Sequence, residues 1–209
     1  MVKVFMTIAG LVLIAAALTW WTSYNNLISK QENVIAAWAQ VESNIQRKYD
    51  LLPNLVKTVN ASARHEKNVL VEVTGQRAQR VASLRKKINA NRIEFKTLHD
   101  GSSLPNGNQL KMISQLKQKL DRSVFQLMAL AESYPDLKSS ENFIQLQSQI
   151  EGAENRINIT RMQFNYCVSE FNSYMKRIPG KITASLGGFQ EKSYFKAGKE
   201  TVCKLNLEI

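Results

Sequence analysis

Cysteine, histidine, proline and glycine are all scarce in this chain. Its 209 residues include 2 cysteines, 2 histidines, 4 prolines and 9 glycines. A chain with so few turn residues is not expected to fold as a β-sandwich or barrel, and its composition favours long helices. Cys167 and Cys203 stand in no C-x-x-C or cysteine–histidine pattern, so no zinc or redox site is predicted. We predict that Cys167 is a small buried side chain on a helix and Cys203 a thiol in the tail, and a disulfide stays open outside the cytosol.

The length and the charge balance narrow the class of protein. The chain is long enough for one domain with one appendage, and a second domain of enzyme size is not expected. Lysine and arginine number 28 against 17 aspartate and glutamate residues, which gives a formal net charge of +11. This excess indicates an acidic counter-surface, either nucleic acid or anionic lipid headgroups.

An apolar run occupies the amino terminus. From Val4 to Trp21 the chain has 18 residues without a charge, and a helix of that length spans about 27 Å, enough for a thin hydrocarbon core. Trp20, Trp21 and Tyr24 stand where an interfacial aromatic belt is expected. We therefore predict a transmembrane anchor over residues 1–23, inserted in the lipid bilayer.

The same run permits a second interpretation. Lys3, the apolar stretch and Ala15–Ala17 resemble the three parts of a cleaved signal peptide. The few charges that flank the run do not decide on which side of the membrane the following domain lies. We prefer the anchor and leave the orientation open.

Residues 24–180 carry the periodicity of amphipathic helices. Apolar residues recur at steps of three and four, as expected for helices that bury one face. Four helices are predicted. The apolar positions of the first are Leu27, Ile28, Val34, Trp38, Val41, Ile45, Tyr49 and Leu52, and those of the second are Val56, Val59, Ala63, Leu70, Val73, Val81, Leu84 and Ile88. The third has Leu110, Ile113, Leu116, Leu120, Val124, Leu127 and Leu130, and the fourth has Phe143, Leu146, Ile150, Ala153, Ile157, Phe164, Val168 and Phe171. The predicted fold is all-α, with the transmembrane helix continuing into an elongated antiparallel four-helix bundle.

Loops are predicted between these helices. The run Asp50-Leu51-Leu52-Pro53-Asn54 is interpreted as a turn or sharp kink, because proline lacks a backbone donor and disfavours helix in the residue before it. The second helix would then begin near Pro53. Residues 99–108 are rich in glycine, serine and asparagine and are predicted as a loop. Pro179–Gly180 ends the fourth helix, and the tail, residues 181–209, is predicted as short helix and loop packed near the membrane.

Several separated segments closely resemble the signature of the LemA family. They cover most of the chain after the apolar run, in the family's order. The matching residues are Tyr24-Asn25-Asn26-Leu27, Ala37-Trp38, Val41-Glu42, Arg47-Lys48-Tyr49-Asp50-Leu51-Leu52-Pro53-Asn54-Leu55-Val56, His65-Glu66, Ala153-Glu154-Asn155-Arg156-Ile157, Arg161, Phe164-Asn165, Asn172, and Gly188-Phe189 to Tyr194-Phe195. The chain departs from the family at Cys167-Val168, where a polar pair is expected, and in its long ending after Phe195.

The resemblance implies a bacterial, single-pass protein of the inner (cytoplasmic) membrane with a helical domain. Family members are associated with the cell envelope, with magnetosome membrane formation and, by gene neighbourhood, with a membrane zinc metalloprotease. The family supplies no catalytic residue that could be carried over to this chain. Within it, Asp50, Leu51, Leu52, Pro53 and Asn54 form the most recognisable motif, which is either a contact site or only a turn.

The sequence contains few groups that could act in catalysis. His65 lies among Arg64, Glu66 and Lys67 on a predicted helix surface, and His99 opens the predicted loop, so both are interpreted as solvated side chains. Glu151, Glu154 and Glu170 have the spacing of ordinary helix-surface residues. We therefore expect no enzyme activity, no cofactor, no metal site and no catalytic residue.

One cluster of cations is a candidate membrane-surface contact. Only Glu94 opposes these residues: Arg77, Arg80, Arg85, Lys86, Lys87, Arg92 and Lys96. Nucleic-acid binding is not predicted, because Phe95 is the one aromatic residue nearby and no groove-reading motif is present. If the chain reversed at Pro53, a descending second helix would bring these cations back to the headgroups, where each could contribute about 1 kcal/mol. A solvated helix surface is the competing interpretation.

The function predicted from these observations is non-enzymatic. The anchor and the long amphipathic helices favour a membrane scaffold or adaptor of the cell envelope that forms a homo-oligomer. The alternative is an accessory or regulatory subunit of a membrane metalloprotease, which rests on gene neighbourhood alone.

Overall fold

The computed structural model describes residues 1–65, 71–98, 104–134, 137 and 139–196. Over these ranges the chain forms helices joined by short connections, and no strand occurs among them. The helices are α1 (Val2–His65), α2 (Val71–Leu98), α3 (Gly107–Ala131), α4 (Glu141–Lys176) and α5 (Gly180–Gly187). The predicted all-α fold is confirmed.

The amino-terminal part of α1 is an exposed apolar helix. Its most apolar 18-residue window has a mean hydropathy of 2.2, and none of that window is buried against the rest of the chain. Of the described helices, it alone is long and apolar enough to cross a membrane. A helix that hydrophobic, with no protein cover, is suited to lipid.

The described chain divides into two compact units. The first unit comprises Met1–Glu42 and Asn158–Tyr194, and the second comprises Ser43–Ile157 and the chain from Phe195 onward. Both α1 and α4 therefore contribute residues to each unit. The predicted boundaries at residues 23 and 180 stay predictions.

In the first unit α1 and α4 pack antiparallel. Trp38 meets Phe164 edge to face with ring centroids 5.4 Å apart. About four turns earlier on α1, the Tyr174 hydroxyl donates to Ser23 Oγ at 3.3 Å. The hydroxyl of Thr183, on α5, donates to the same Ser23 oxygen at 2.9 Å. Gly180 begins α5 so close to Tyr174 that an added Cβ would lie 2.2 Å from the Tyr174 carbonyl oxygen. Glycine is required there because no side chain fits.

In the second unit the remaining parts of α1 and α4 pack with α2 and α3. At one end of the α2–α3 pair, Gln109 Nε2 donates to the Leu98 carbonyl at 3.3 Å, while at the other end Arg80 and Ser133 line one groove. The two helices are therefore antiparallel. The buried core of this unit includes Ile45, Leu52, Leu55, Val59, Val81, Leu84, Ile88, Ile113, Leu116, Leu120, Phe143, Ile150 and Ile157.

Two predicted helices match the structure closely. α3 starts after a capping box in which Asn106 and Gln109 exchange backbone and side-chain hydrogen bonds at 2.9 Å, and such a box satisfies amides that a helix start leaves unpaired. Gly107 and Asn108 are consequently helical and do not belong to the predicted loop, whose residues 99–103 lie outside the described chain. The fourth helix ends before Pro179, as predicted.

The predicted turn at Asp50–Asn54 is wrong. α1 runs through Pro53 without a break and ends at His65, so the second helix does not begin at this proline. Leu52, Leu55, Val56 and Val59 are all buried and keep the three-four spacing on both sides of the proline. Burial of this continuous face offsets the one backbone hydrogen bond that proline removes.

Candidate functional site

Four charged side chains form a closed ring in the second unit. Lys48 of α1 donates to Asp121 Oδ1 at 2.5 Å and to Glu154 Oε2 at 2.6 Å. Lys117 donates to the other oxygens, Asp121 Oδ2 at 2.8 Å and Glu154 Oε1 at 2.6 Å. Each ammonium is thus shared by both carboxylates, and the ring of two cations and two anions has no net charge.

Helix geometry places these four groups together. Lys117 and Asp121 lie one turn apart on α3, so their side chains share a face. Lys48 stands on the buried face of α1, and its side chain is only 4% exposed. Glu154 on α4 follows the fully buried Ala153. The ring therefore connects α1, α3 and α4 at one level of the unit.

The ring shifts the protonation of its members. Burial opposes the charge of Glu154, but the attraction of Lys48 and the hydrogen bonds from both lysines outweigh burial, and the pKa of Glu154 lies below its usual range. Burial likewise opposes the charge of Lys117. The attraction and hydrogen bonds of Asp121 and Glu154 outweigh this effect of burial, so the pKa of Lys117 is raised. Both shifts favour the charged forms of Glu154 and Lys117.

Such a ring is suited to holding helices in register. Every carboxylate oxygen of the ring already accepts a hydrogen bond from a lysine ammonium group. Breaking a buried ion pair leaves an uncompensated charge and is strongly destabilising, which makes these contacts selective for one helix arrangement.

The adjoining Tyr49 hydroxyl is buried without a hydrogen-bond partner among the described residues. Burial, followed by repulsion from Asp121 and Glu94, raises the pKa of Tyr49 far above its usual range.

Sequence reasoning missed this ring. It treated Glu154 as an ordinary surface residue, whereas Glu154 is half-buried and bonded to two lysines. Two signals were available: the one-turn spacing of Lys117 and Asp121, and the position of Lys48 within an otherwise apolar helix face. Neither signal identifies Glu154, which lies 106 residues away from Lys48.

The family motif lies in the interior of α1. Leu52 is fully buried, Leu51 and Pro53 are half-buried, and Asn54 is exposed. Asp50 pairs with Arg92 of α2 and accepts from Gln46 Nε2 at 3.0 Å. The motif therefore packs α1 against α2, with its acidic end held by one member of the predicted cation cluster.

The predicted cation cluster separates into different environments. Arg92 is paired with Asp50, Lys96 is exposed, and the side chain of Arg77 lies outside the described part. Arg80 and Lys87 line a groove shared with α3, while Arg85 and Lys86 line a groove on the opposite flank of α2, shared with α1. Membrane contact by these cations stays a prediction, and the chain reversal at Pro53 on which its geometry depended is wrong.

An apolar stripe crosses the surface of the first unit. Ile159, Met162 and Tyr166 follow one another at steps of three and four on α4 and are 65%, 68% and 62% exposed. Tyr166 and Cys167 also line a groove of about 480 Å³ between α4 and α1. Cys167 was predicted to be buried, but the structure shows it half-buried. The Gln163 amide donates to the Cys167 sulfur at 3.8 Å.

A metal-binding arrangement is not found in the part of the chain that the structure describes. No group of three or more histidine, cysteine, aspartate or glutamate side chains is close enough there to hold an ion. The side chain of His65 and all of His99, Glu66 and Cys203 lie outside that part.

These features define a class of protein: an exposed apolar helix at the amino terminus, continuous with antiparallel helices that an ion-pair ring holds together. The LemA family matches residues 37–207, and the chain belongs to that family. Two of the motif segments that carried the resemblance meet in the ring, because Lys48 belongs to one and Glu154 to the other.

The chain is also similar to proteins of known name. It is 26% identical over 196 residues to magnetosome protein MamQ of Magnetospirillum gryphiswaldense. The aligned residues cover 93% of this chain and 72% of that protein. It is 24% identical over 197 residues to each of magnetosome protein MamQ 1 and MamQ 2 of Paramagnetospirillum magneticum, with the same coverage.

Proposed function

We propose that the protein is a membrane-anchored, non-enzymatic scaffold of the bacterial cell envelope that associates with further copies of itself. The observation that supports this most directly is the α4 stripe formed by Ile159, Met162 and Tyr166. Three large apolar side chains at heptad-like spacing, each more than three-fifths exposed, are typical of a helix that packs against another helix. The likeness to magnetosome proteins is consistent with a membrane role.

A second copy of the chain fits this stripe better than a charged partner does. Asn155 and Ser173 flank the stripe on the same helix face, and Glu170, one turn after Tyr166 on that face, is neutralised by its ion pair with Lys30. The chain as a whole carries +11, so approach of another copy through a charged face would be repulsive. An uncharged stripe avoids that repulsion.

Membrane anchoring sets the geometry of such a pair. Two chains inserted by the same apolar segment point the same way, and a two-fold axis along the membrane normal would then relate them. Their α4 helices would run parallel, so Met162 of one copy would face Met162 of the other. Confinement to a membrane also raises the effective concentration of the two faces.

The test is disulfide trapping in the full-length protein. In a background of Cys167→Ser and Cys203→Ser, Met162→Cys is expected to give a covalent dimer after mild oxidation in detergent micelles or membranes. Ile93→Cys is the matched control, since Ile93 is 64% exposed on α2 and lies off the stripe. A dimer with Met162→Cys and none with Ile93→Cys would support the proposal.

The opposite results have distinct meanings. Equal trapping at both positions would indicate random collision, and a single-chain mass in gentle detergent would contradict self-association. If that single chain copurified at one-to-one ratio with a membrane metalloprotease, the accessory-subunit function would replace the scaffold. Met162→Glu should also reduce the mass of the native assembly, whereas Ile93→Glu should leave it unchanged.

A further inference from the structure

The groove between α2 and α3 in the second unit combines charge with apolar surface. Its volume is about 460 Å³, and Leu84, Ala129 and Leu130 contribute to its lining. Arg80 and Lys87 lie on the α2 side. Phe125, on the α3 side, also lines the groove and is 74% exposed, so its ring is accessible to a ligand.

Arg80 and Lys87 differ from several other basic residues of this protein. Lys30, Lys48, Lys117, Lys176 and Arg92 are all held in ion pairs. Arg80 and Lys87, by contrast, are exposed, and neither makes an ion pair with an acidic side chain that the structure describes. Their charges are therefore available to a ligand.

The spacing of the two cations limits what can bind. Lys87 follows Arg80 by seven positions on α2, so the two side chains lie on one face about 10 Å apart along the helix axis. The apolar lining and Phe125 occupy the same groove. A ligand that satisfies all three features carries two negative charges about two helical turns apart, with an apolar side chain between them.

We infer that this groove binds an acidic amphipathic helix of another protein, through two carboxylates on Arg80 and Lys87 and an apolar side chain on Phe125. A second copy of this basic chain is disfavoured by like charge, whereas the apolar stripe on α4 is uncharged. A nucleic acid would require a continuous basic track with several stacking aromatics, and a lipid headgroup would leave the apolar lining unused. This binding site is independent of self-association.

The opposite flank of α2 provides a matched control. Arg85 and Lys86 are exposed cations of the same helix, and they line the separate groove toward α1. The double variants Arg80→Glu/Lys87→Glu and Arg85→Glu/Lys86→Glu change the net charge of the chain equally. They separate recognition at the α2–α3 groove from general electrostatic attraction.

The experiment uses the full chain in nanodiscs of neutral phosphatidylcholine. The probe is a fluorescent, end-blocked helical peptide with glutamates two turns apart and a leucine between them, and its binding is followed by anisotropy. We expect Arg80→Glu/Lys87→Glu to weaken binding by about tenfold or more, as for loss of paired interfacial charges. Phe125→Ala is expected to weaken it about fivefold. Arg85→Glu/Lys86→Glu should change it by less than about twofold.

Three results would overturn the inference. One is equal loss of binding in the two double variants, which would show attraction to net charge alone. Another is equal binding of a peptide of the same composition with its glutamates on opposite faces. The third is binding of anionic vesicles, in place of the peptide, with the same dependence on Arg80, Lys87 and Phe125, which would identify a membrane contact.

Discussion

The two units of this protein hold their helices together by different means. In the first unit the buried contact between α1 and α4 is aromatic, with Trp38 against Phe164, and the ion pair of Lys30 with Glu170 is more exposed. In the second unit a ring of lysines and carboxylates lies beside the apolar core. Apolar packing tolerates swaps that conserve volume, whereas removing one member of a buried ion-pair ring leaves an uncompensated charge. The comparison predicts different responses to substitution and to pH.

The largest effect is expected in the aromatic core. Trp38→Ala removes a side chain that is 2% exposed and should lower the free energy of unfolding by about 4 kcal/mol, because the cavity cannot close completely. Urea unfolding of the full-length protein in mild detergent, followed by circular dichroism, measures this loss. Trp21→Ala is the control, since Trp21 is 69% exposed. Similar losses for both variants would refute the assignment of Trp38 to the core.

The next effect tests the ring. Lys48→Met should cost about 3 kcal/mol, because it leaves Asp121 and Glu154 sharing a single lysine in a half-buried site. The neighbouring Arg47 is exposed, so Arg47→Met removes the same charge and should change stability by less than about 0.5 kcal/mol. Adding Glu154→Gln to Lys48→Met restores charge balance and should recover part of the loss. Further destabilisation by the second substitution would mean that the ring is not one electrostatic unit.

The response to acid should be smaller and should come from the second unit. The pKa of Glu154 is lower in the folded protein than in the unfolded chain. Its contribution to the free energy of unfolding is therefore complete above the pKa of the unfolded carboxyl, and it is lost as pH falls through the pKa of the folded protein. The pKa of Lys117 is higher in the folded protein than in the unfolded chain. Its contribution to the free energy of unfolding is therefore complete below the pKa of the unfolded ammonium group, and it is lost as pH rises through the pKa of the folded protein. Stability is therefore expected to be flat near neutral pH and to fall on both sides.

Thermal unfolding from neutral pH down to about pH 3 tests the acid side. Glu154→Gln should flatten part of the decline, whereas Glu151→Gln should leave it as in the unchanged protein. Glu151 is a suitable control because it is exposed and lies one turn away on the same helix. An identical acid profile for Glu154→Gln and the unchanged chain would exclude Glu154 as a source of the pH dependence.

The apolar positions of both units were predictable from sequence because helix packing repeats every three to four residues. All seven apolar positions named for the third helix, from Leu110 to Leu130, are buried. In the fourth helix Leu146 alone is only half-buried. Periodicity is a local property, and it survives without knowledge of the partner helix.

The candidate sites were less predictable because they depend on contacts between distant helices. The ring joins residues from three helices, and the α2–α3 groove exists only once those helices are placed side by side. The cations around α2 were visible in sequence, but not their division between two grooves. That division depends on which flank of α2 faces α1 and which faces α3.

The error at Pro53 came from giving one residue more weight than the pattern around it. Proline is unfavourable in a helix interior by about 3 kcal/mol relative to alanine. Yet the buried positions Ile45, Tyr49, Leu52, Val56 and Val59 continue through it at unchanged spacing. A turn at Pro53 would have broken that face and exposed part of it, which costs more than one missing hydrogen bond.

Pro53→Ala distinguishes a helix from a turn by the sign of a small effect. In the continuous helix of the structure, alanine restores a donor for the Tyr49 carbonyl and removes the clash of the proline ring, so stability should rise by about 1 kcal/mol. The gain is smaller than the full propensity difference because the surrounding packing has already accommodated the ring. If the motif were a turn, the same substitution would release a preset backbone angle in the unfolded chain and lower stability. The measurement is the urea midpoint of unfolding of Pro53→Ala. The control is Ala39→Gly, at an exposed helical position of α1, where a loss of stability of about 1 kcal/mol is expected. The two variants should therefore shift the midpoint in opposite directions.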